Sequence, residues 1–163
     1  METLVHPLAP VFDERSRILI LGTFPSPKSR SFGFYYSHPQ NRFWPVMEQV
    51  YNERIPANPQ ARSVFVLRHH LALWDVLRGC QIRGADDQSI RRPIPNDLTL
   101  ILRHSPIERI LTTGQKAHSL YRKHCFPQIG IEAVALPSTS SANCRYYTLE
   151  KLVEIYRKYL LLE

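Results

Sequence analysis

Residues 19–44 read LILGTFPSPKSRSFGFYYSHPQNRFW, and this segment determines the architecture of the chain. The short apolar run at residues 17–22 ends in Gly22, which is typical of a parallel strand that is buried on both faces. A loop at residues 23–40, rich in Pro, Ser and aromatic side chains, follows this strand, and Asn41 stands just before a predicted helix. In α/β proteins ligands bind where parallel strands end, so we expect the chemistry of the protein in this loop.

Apolar runs alternate with segments of helical spacing along the rest of the chain. Three further strands are predicted at residues 72–76, 107–112 and 131–136. Helices are predicted at residues 43–52, 61–70, 96–103, 115–125 and 148–162. Residues 81–92 are polar and are predicted to be a connector with at most one helical turn, and Asn96 is predicted to cap the helix that follows. This alternation predicts one domain at residues 1–163, a three-layer α/β/α sandwich around a four-stranded parallel sheet.

The chain carries a surplus of positive charge. Lys and Arg number 21 against 14 Asp and Glu, a formal net charge of +7, and 16 of the cations are Arg. The planar guanidinium group can hold two phosphate oxygens and stays charged at any working pH. The charge therefore favours nucleic acid as the partner, with a basic surface that serves only solubility as the alternative.

The cysteines and the apolar segments indicate the compartment. Cys80, Cys125 and Cys144 are odd in number and widely spaced, so we expect neither a disulfide framework nor a Cys-x-x-Cys pair. The first residues do not resemble a leader peptide, and the sequence has no apolar run of membrane-spanning length. We expect no membrane association and a cytoplasmic protein, nucleoid-associated if it is prokaryotic. Nothing in the sequence demands a dimer, so we expect a monomer.

Two loops follow predicted strands and should meet at the same edge of the sheet. In the first, at residues 23–40, the aromatic side chains can stack on a nucleobase; packing onto the core is the alternative. The second, at residues 137–143, reads PSTSSAN, and small hydroxyls with backbone amides suit phosphate oxygens. An ordinary Ser-rich loop with self-capping hydroxyls is the alternative there. Lys28, Arg30, Arg42 and Arg145 flank the two loops and favour phosphate.

Other kinds of site find little support in the sequence. It contains no Gly-x-x-x-x-Gly-Lys-Ser/Thr, no Gly-x-Gly-x-x-Gly and no Gly-x-Ser-x-Gly motif. The seven histidines lack metal-ligand spacing, so no metal site is predicted. Asp75, Asp86 and Asp87 are possible general bases, but the pair at 86 and 87 is more typical of a capped or solvated connector.

The loops together resemble those of the uracil-DNA glycosylase superfamily, and most closely its hypoxanthine-DNA (deoxyinosine) glycosylase branch. The matching motifs are GTFPS at residues 22–26, YSHPQNRFW at 36–44, LWDVL at 73–77, Thr113-Gly114, and LPSTSSAN at 136–143. The resemblance covers nearly the whole chain. It implies a four-stranded parallel sheet between helices and an enzyme that removes a deaminated base from DNA without a metal or cofactor.

Two departures from the uracil-specific members point to this branch. Phe24 stands where those members carry Asp or Asn, and Leu136 stands where relatives begin the second motif with His or Asn. The deoxyinosine branch resembles this chain at both positions, and there the Asn of the His-Pro-x-Asn motif, Asn41 here, is the expected catalytic group. Tyr36 matches the aromatic residue that stacks on the extruded base. Ser140 lies where relatives carry a bulky wedge.

These loops and the resemblance together define a predicted site. Its catalytic residue is Asn41, and its base-binding residues are Gly22, Thr23, Phe24 and Tyr36. Its DNA-binding residues are Arg42, Ser138, Thr139, Ser140, Ser141, Asn143 and Arg145. The predicted function is a monofunctional deoxyinosine glycosylase of base excision repair that acts on DNA containing deaminated bases. The alternatives are a uracil or xanthine glycosylase of the same superfamily, a non-catalytic nucleic-acid binding domain, and a hydrolase of nucleotides or other small phosphorylated substrates.

Overall fold

The computed structural model describes residues 3–161. The strands are β1 (Leu4–Val5), β2 (Ile18–Gly22), β3 (Leu71–Asp75), β4 (Leu77–Arg83), β5 (Asp86–Pro95), β6 (Arg109–Thr113) and β7 (Ala133–Leu136). The helices are α1 (Pro27–Phe32), α2 (Phe43–Tyr51), α3 (Pro59–Arg68), α4 (Thr99–Leu102), α5 (Gln115–His124), α6 (Phe126–Ile129) and α7 (Leu149–Leu160). The predicted last helix extended to residue 162, which lies outside the described residues. No helix within residues 3–161 has the length and apolar character needed to cross a membrane.

The predicted four-stranded parallel sheet is confirmed, with the strand order β3-β2-β6-β7. β2 lies in its interior, and every residue from Ile18 to Leu21 is fully buried. Each such aliphatic side chain contributes about 1.5–3 kcal/mol on burial, which explains the unbroken apolar run. The register pairs Gly22 with Asp75 and Thr113 with Leu136, so the four strands end at one edge.

Helices cover the sheet, and the predicted α/β class is confirmed. α3 packs against β3, α5 packs against β6 and β7, and α2 packs against α7. The apolar side chains of α7 recur at helical spacing, which places Leu152, Tyr156 and Leu160 in the core. The hydroxyl of Tyr156 donates to the carbonyl of Pro137, so α7 also anchors the loop at residues 137–143.

The prediction of a connector at residues 81–92 was wrong. β4 and β5 form an antiparallel hairpin there, and β1 adds to the free side of β4. The register of the hairpin shifts at three places, which interrupts the strict alternation that identifies a strand in a sequence. Gly84 turns the hairpin at a φ of +59°.

Two helical segments also differ from the predictions. The loop at residues 23–40 contains α1, whose first turn is capped because Ser26 Oγ accepts a hydrogen bond from the Ser29 N–H at 3.1 Å. The helix predicted at residues 96–103 is only the single turn α4. Asn96 does not cap it, because its amide donates instead to the carbonyl of Asp75 at 2.9 Å.

Candidate active site

A cavity of about 340 Å³ lies at the carboxyl edge of the parallel sheet. Its volume is in the range of small-molecule binding sites. Nine of the twelve predicted site residues line it: Gly22, Thr23, Phe24, Tyr36, Asn41, Ser138, Thr139, Ser140 and Ser141. Arg42, Asn143 and Arg145 do not line it. The two loops that were predicted to meet at this edge therefore do meet.

The side chain of Asn41 is held in one orientation. Its Oδ1 accepts hydrogen bonds from the Phe43 N–H at 2.9 Å and from the Thr139 hydroxyl at 2.8 Å. A backbone N–H can only donate, so the atom that faces Phe43 must be the oxygen. Within residues 3–161 the amide Nδ2 makes no hydrogen bond. Asn41 therefore offers the cavity a hydrogen-bond donor and not an acceptor.

Thr139 couples the two loops. Besides the hydroxyl bond to Asn41, its carbonyl accepts a hydrogen bond from the Arg42 N–H at 3.0 Å. The residue is only 1% exposed, so it has almost no surface with which to touch a phosphate. Its position indicates that it orients Asn41, whereas a DNA contact was predicted for it from the sequence.

Arg42 also lies in a different setting from the one expected. Its guanidinium group donates to the carbonyl of Tyr147 and, at 3.5 Å, to the carbonyl of Ser140. These bonds run to the backbone of the loop at residues 137–143, hereafter the serine loop, and of the segment that follows it. The contacts indicate that Arg42 braces this loop from behind, and DNA binding by Arg42 stays a prediction.

The polar side chains of the serine loop largely hold its own backbone. Ser138 Oγ accepts from the Ser140 N–H at 3.1 Å, and Ser140 Oγ accepts from the Ala142 N–H at 3.3 Å. The Asn143 amide donates to the carbonyl of Ser138 at 3.0 Å. Self-capping, the alternative considered for this loop, is therefore present. Beyond the loop, Arg145 is exposed and makes no hydrogen bond or ion pair in the described part of the chain.

The aromatic residues divide between the core and the cavity. Tyr36 has an uncommon positive φ of 54°, and its ring stacks on Phe43 with centroids 3.9 Å apart. Phe43 thereby covers one face of the Tyr36 ring and leaves only the opposite face for a base. The Tyr36 hydroxyl is 3.1 Å from Thr113 Oγ1, and burial raises its pKa, so it stays protonated. Phe24 is 8% exposed.

The turn that follows β2 is held in place by its carbonyls and offers its N–H groups to the cavity. The carbonyls of Gly22 and Thr23 accept hydrogen bonds from the N–H groups of Val76 and Leu77 at 2.8 and 3.1 Å, which fix the turn against the end of β3. The N–H groups of Thr23 and Phe24 make no hydrogen bond within the described range. The turn requires glycine at position 22, because an added Cβ would lie 2.5 Å from Asp75 Oδ1.

Two carboxylates that were not among the predicted site residues also line the cavity. Asp75, at the end of β3, is 4% exposed, and its Oδ2 is 2.8 Å from His6 Nε2. Asp87, on β5, accepts a hydrogen bond at Oδ2 from the Thr23 hydroxyl at 3.2 Å. Burial raises the pKa of Asp87 above its ordinary value, and the Thr23 hydrogen bond opposes that shift.

The signals for these two residues in the sequence differ. Asp75 is the last but one residue of the strand predicted at residues 72–76, so the strand-end rule that identified the two loops could also have identified Asp75. Asp87 lies in the segment that was interpreted as a connector. Without the hairpin, nothing in the sequence brings this residue to the sheet edge.

Comparison with known proteins agrees with this site. The chain matches the Uracil DNA glycosylase superfamily over residues 9–160. It is 31% identical over 138 residues to a Methanosarcina barkeri protein named hypoxanthine DNA glycosylase, covering 83% of this chain and 86% of the relative. A Methanosarcina acetivorans protein of the same name has the same identity and coverage.

A solved structure agrees as well. It is the solution NMR structure of a Methanosarcina acetivorans protein described as a candidate uracil DNA glycosylase. The two structures superpose with a TM-score of 0.78 at 28% identity, covering 93% of this chain and 96% of the other. The chain therefore belongs to the uracil DNA glycosylase superfamily, and it is a DNA glycosylase.

Proposed function

We propose that this glycosylase removes hypoxanthine from deoxyinosine in DNA, as a monofunctional enzyme of base excision repair. The observation that carries the proposal is the fixed amide of Asn41, which presents a donor to a cavity of suitable size for a base. The names of the two Methanosarcina relatives support the same substrate.

The target nucleotide must first leave the duplex. A base inside the helix cannot reach a cavity of this kind, and extrusion costs a few kcal/mol, less for a mispaired base. The open face of Tyr36 supports stacking of the extruded purine, since Phe43 holds the ring from behind. The serine loop lines the cavity and exposed Arg145 follows it, so we expect both to contact the flanking phosphates.

Bond cleavage then places negative charge on the departing base. Donors aimed at that charge stabilise the transition state, because they are oriented before the reaction begins. The Asn41 Nδ2 and the backbone N–H groups of Thr23 and Phe24 are donors of this kind. A neutral amide cannot deprotonate water, so we infer a dissociative path in which water captures an oxocarbenium-like sugar.

A lysine nucleophile plays no part in this mechanism. Lys28, the lysine nearest the motif in the sequence, is exposed on α1 and does not line the cavity. The enzyme should therefore form no Schiff base with the sugar and should leave the strand intact at the abasic site. A covalent adduct trapped by borohydride would contradict this step.

The test is base release from labelled oligonucleotides that carry one deoxyinosine, uracil or xanthine, followed by alkali to reveal abasic sites. We expect alkali-dependent cleavage at inosine, and a loss of at least about 100-fold in rate for Asn41→Ala. Gln40→Ala is the matched control, because Gln40 is the exposed neighbouring amide and does not line the cavity. Release of uracil alone would exclude the hypoxanthine assignment, and an equally active Asn41→Ala would remove Asn41 from the mechanism.

A further inference from the structure

The proposed mechanism does not use one of the carboxylates in the cavity, which the hairpin β4–β5 brings there. Asp87 lies next to the turn after β2, where its Oδ2 accepts the Thr23 hydroxyl at 3.2 Å. Its Oδ1 makes no hydrogen bond or ion pair within residues 3–161. The side chain is partly exposed and lines the cavity, so a bound molecule can reach the free oxygen.

Asp75, the other carboxylate of the cavity, is already engaged. Its Oδ2 pairs with His6 at 2.8 Å, and the two side chains are only 5% and 2% exposed. Its Oδ1 lies against Gly22, 2.5 Å from the position that a Cβ on this glycine would occupy. Of the two carboxylates, Asp87 is therefore the one available to a base.

The chemistry of deamination gives such an acceptor a use. Adenine carries an amino group at C6 and an unprotonated N1, a donor beside an acceptor. Hypoxanthine carries a carbonyl at C6 and an N1–H, an acceptor beside a donor. An ionised carboxylate can only accept a hydrogen bond, whereas the free end of the Asn41 amide can only donate. This pair of groups is complementary to hypoxanthine and mismatched to adenine.

We propose that Asp87 is a specificity-determining residue, whose free carboxylate oxygen accepts the N1–H of the flipped hypoxanthine. Adenine would place the unprotonated N1 against this oxygen, so that two acceptors face each other without a proton between them. Uracil and xanthine also carry a ring N–H beside a carbonyl, so the same contact favours deaminated bases as a class. The inference rests on the proposed function, since it names how that site reads its base.

The test compares deoxyinosine with deoxyadenosine, each placed opposite a stable abasic-site analogue so that neither base is paired. Asp87→Asn preserves the shape of the side chain and an oxygen for Thr23, and its amide can donate to the N1 of adenine. We expect inosine excision to fall by at least about 10-fold, and the ratio of adenine to inosine excision to rise by about 100-fold or more. Asp86→Asn is the control, because Asp86 is the exposed neighbour outside the cavity, and it should leave the ratio unchanged.

A second variant keeps the test decisive if Asp87→Asn folds poorly. Asp87→Ala removes the acceptor and opens space beside N1, where 1-methyl-deoxyinosine carries its methyl group. The ratio of 1-methyl-deoxyinosine excision to deoxyinosine excision should therefore be at least about 10-fold higher in Asp87→Ala than in the wild type. If either variant slows all bases equally, Asp87 is only structural and the inference fails. If the wild type releases no hypoxanthine at all, the proposed function itself fails, and the two failures are thereby distinguished.

Discussion

At the scale of single residues, the site depends on which hydrogen-bonding atoms are already occupied. The proposed role of Asn41 as a donor follows from the contacts of its oxygen, which Phe43 and Thr139 occupy. Asp75 is occupied by His6, whereas Asp87 keeps one oxygen free. The sequence identifies Asn41 by its motif, but it cannot reveal which end of the amide faces the cavity. That orientation is fixed by the Phe43 N–H together with the hydroxyl of Thr139, which is 98 positions away in the chain.

The partly buried charge of Asp87 should cost stability, and Asp87→Asn should recover it. Burial is the largest influence on Asp87 and raises its pKa above the ordinary 3.8, so the folded state holds this proton more tightly than the unfolded state. Stability should therefore decrease as the pH rises from 3.8 through the raised pKa, and the cost is complete above that pKa. Asp87→Asn should melt at a higher temperature than the wild type at pH 7.

This prediction is checked by measuring how the difference in melting temperature between Asp87→Asn and the wild type depends on pH. Thermal denaturation of both proteins should show the advantage of Asp87→Asn shrinking on acidification, as the wild-type carboxyl takes up its proton. Asp86→Asn serves as the control, since Asp86 is exposed. A variant less stable than the wild type at pH 7 would mean that the charge of Asp87 stabilises the fold.

At the scale of elements, contacts with the serine loop distinguish two arginines that have similar positions beside the sequence motifs. Arg42 is bonded to the backbone of this region, whereas Arg145 is exposed and free of hydrogen bonds and ion pairs in residues 3–161. Both were predicted to bind phosphate from their positions beside the motifs. Only the folded structure distinguishes Arg42 from Arg145, because the carbonyl groups that bind Arg42 belong to a segment that is distant in the sequence.

Arg145→Ala should weaken DNA binding and reduce its salt dependence. The loss of one phosphate contact lowers the slope of log affinity against log salt by about 0.9. Arg42→Ala should instead leave the slope unchanged and reduce the excision rate, since it loosens the loop that positions Asn41. Fluorescence anisotropy with inosine-containing DNA at several salt concentrations measures the slopes.

An exposed arginine far from the motifs provides the reference for these slopes. Arg103 follows α4, on the approach to the amino end of β6, and Arg103→Ala should match the wild type. Equal slopes for Arg145→Ala and the wild type would place Arg145 off the DNA. A reduced slope for Arg42→Ala would restore the phosphate contact that was first expected.

At the scale of the whole molecule, the carboxyl edge of the parallel sheet assembles the site. Strand order β3-β2-β6-β7 brings together loops that lie far apart in the sequence. The sheet and the meeting of the two loops could be predicted from buried apolar runs and the rule for strand ends. The resemblance to the superfamily then identified individual residues, and nine of these line the cavity. The hairpin could not, because its register shifts obscure the alternation of strand residues. Asp87 was missed for that reason.

The most direct test of the central claim is single-turnover excision of hypoxanthine by Asn41→Asp. Aspartate keeps an oxygen for Phe43 and Thr139, so it preserves the loop contacts while it replaces the donor in the cavity with a negatively charged acceptor. If Asn41 donates to the departing base, the rate should fall by at least about 100-fold with DNA affinity little changed. A rate equal to or above that of the wild type would contradict the account and make Asn41 a residue that positions water.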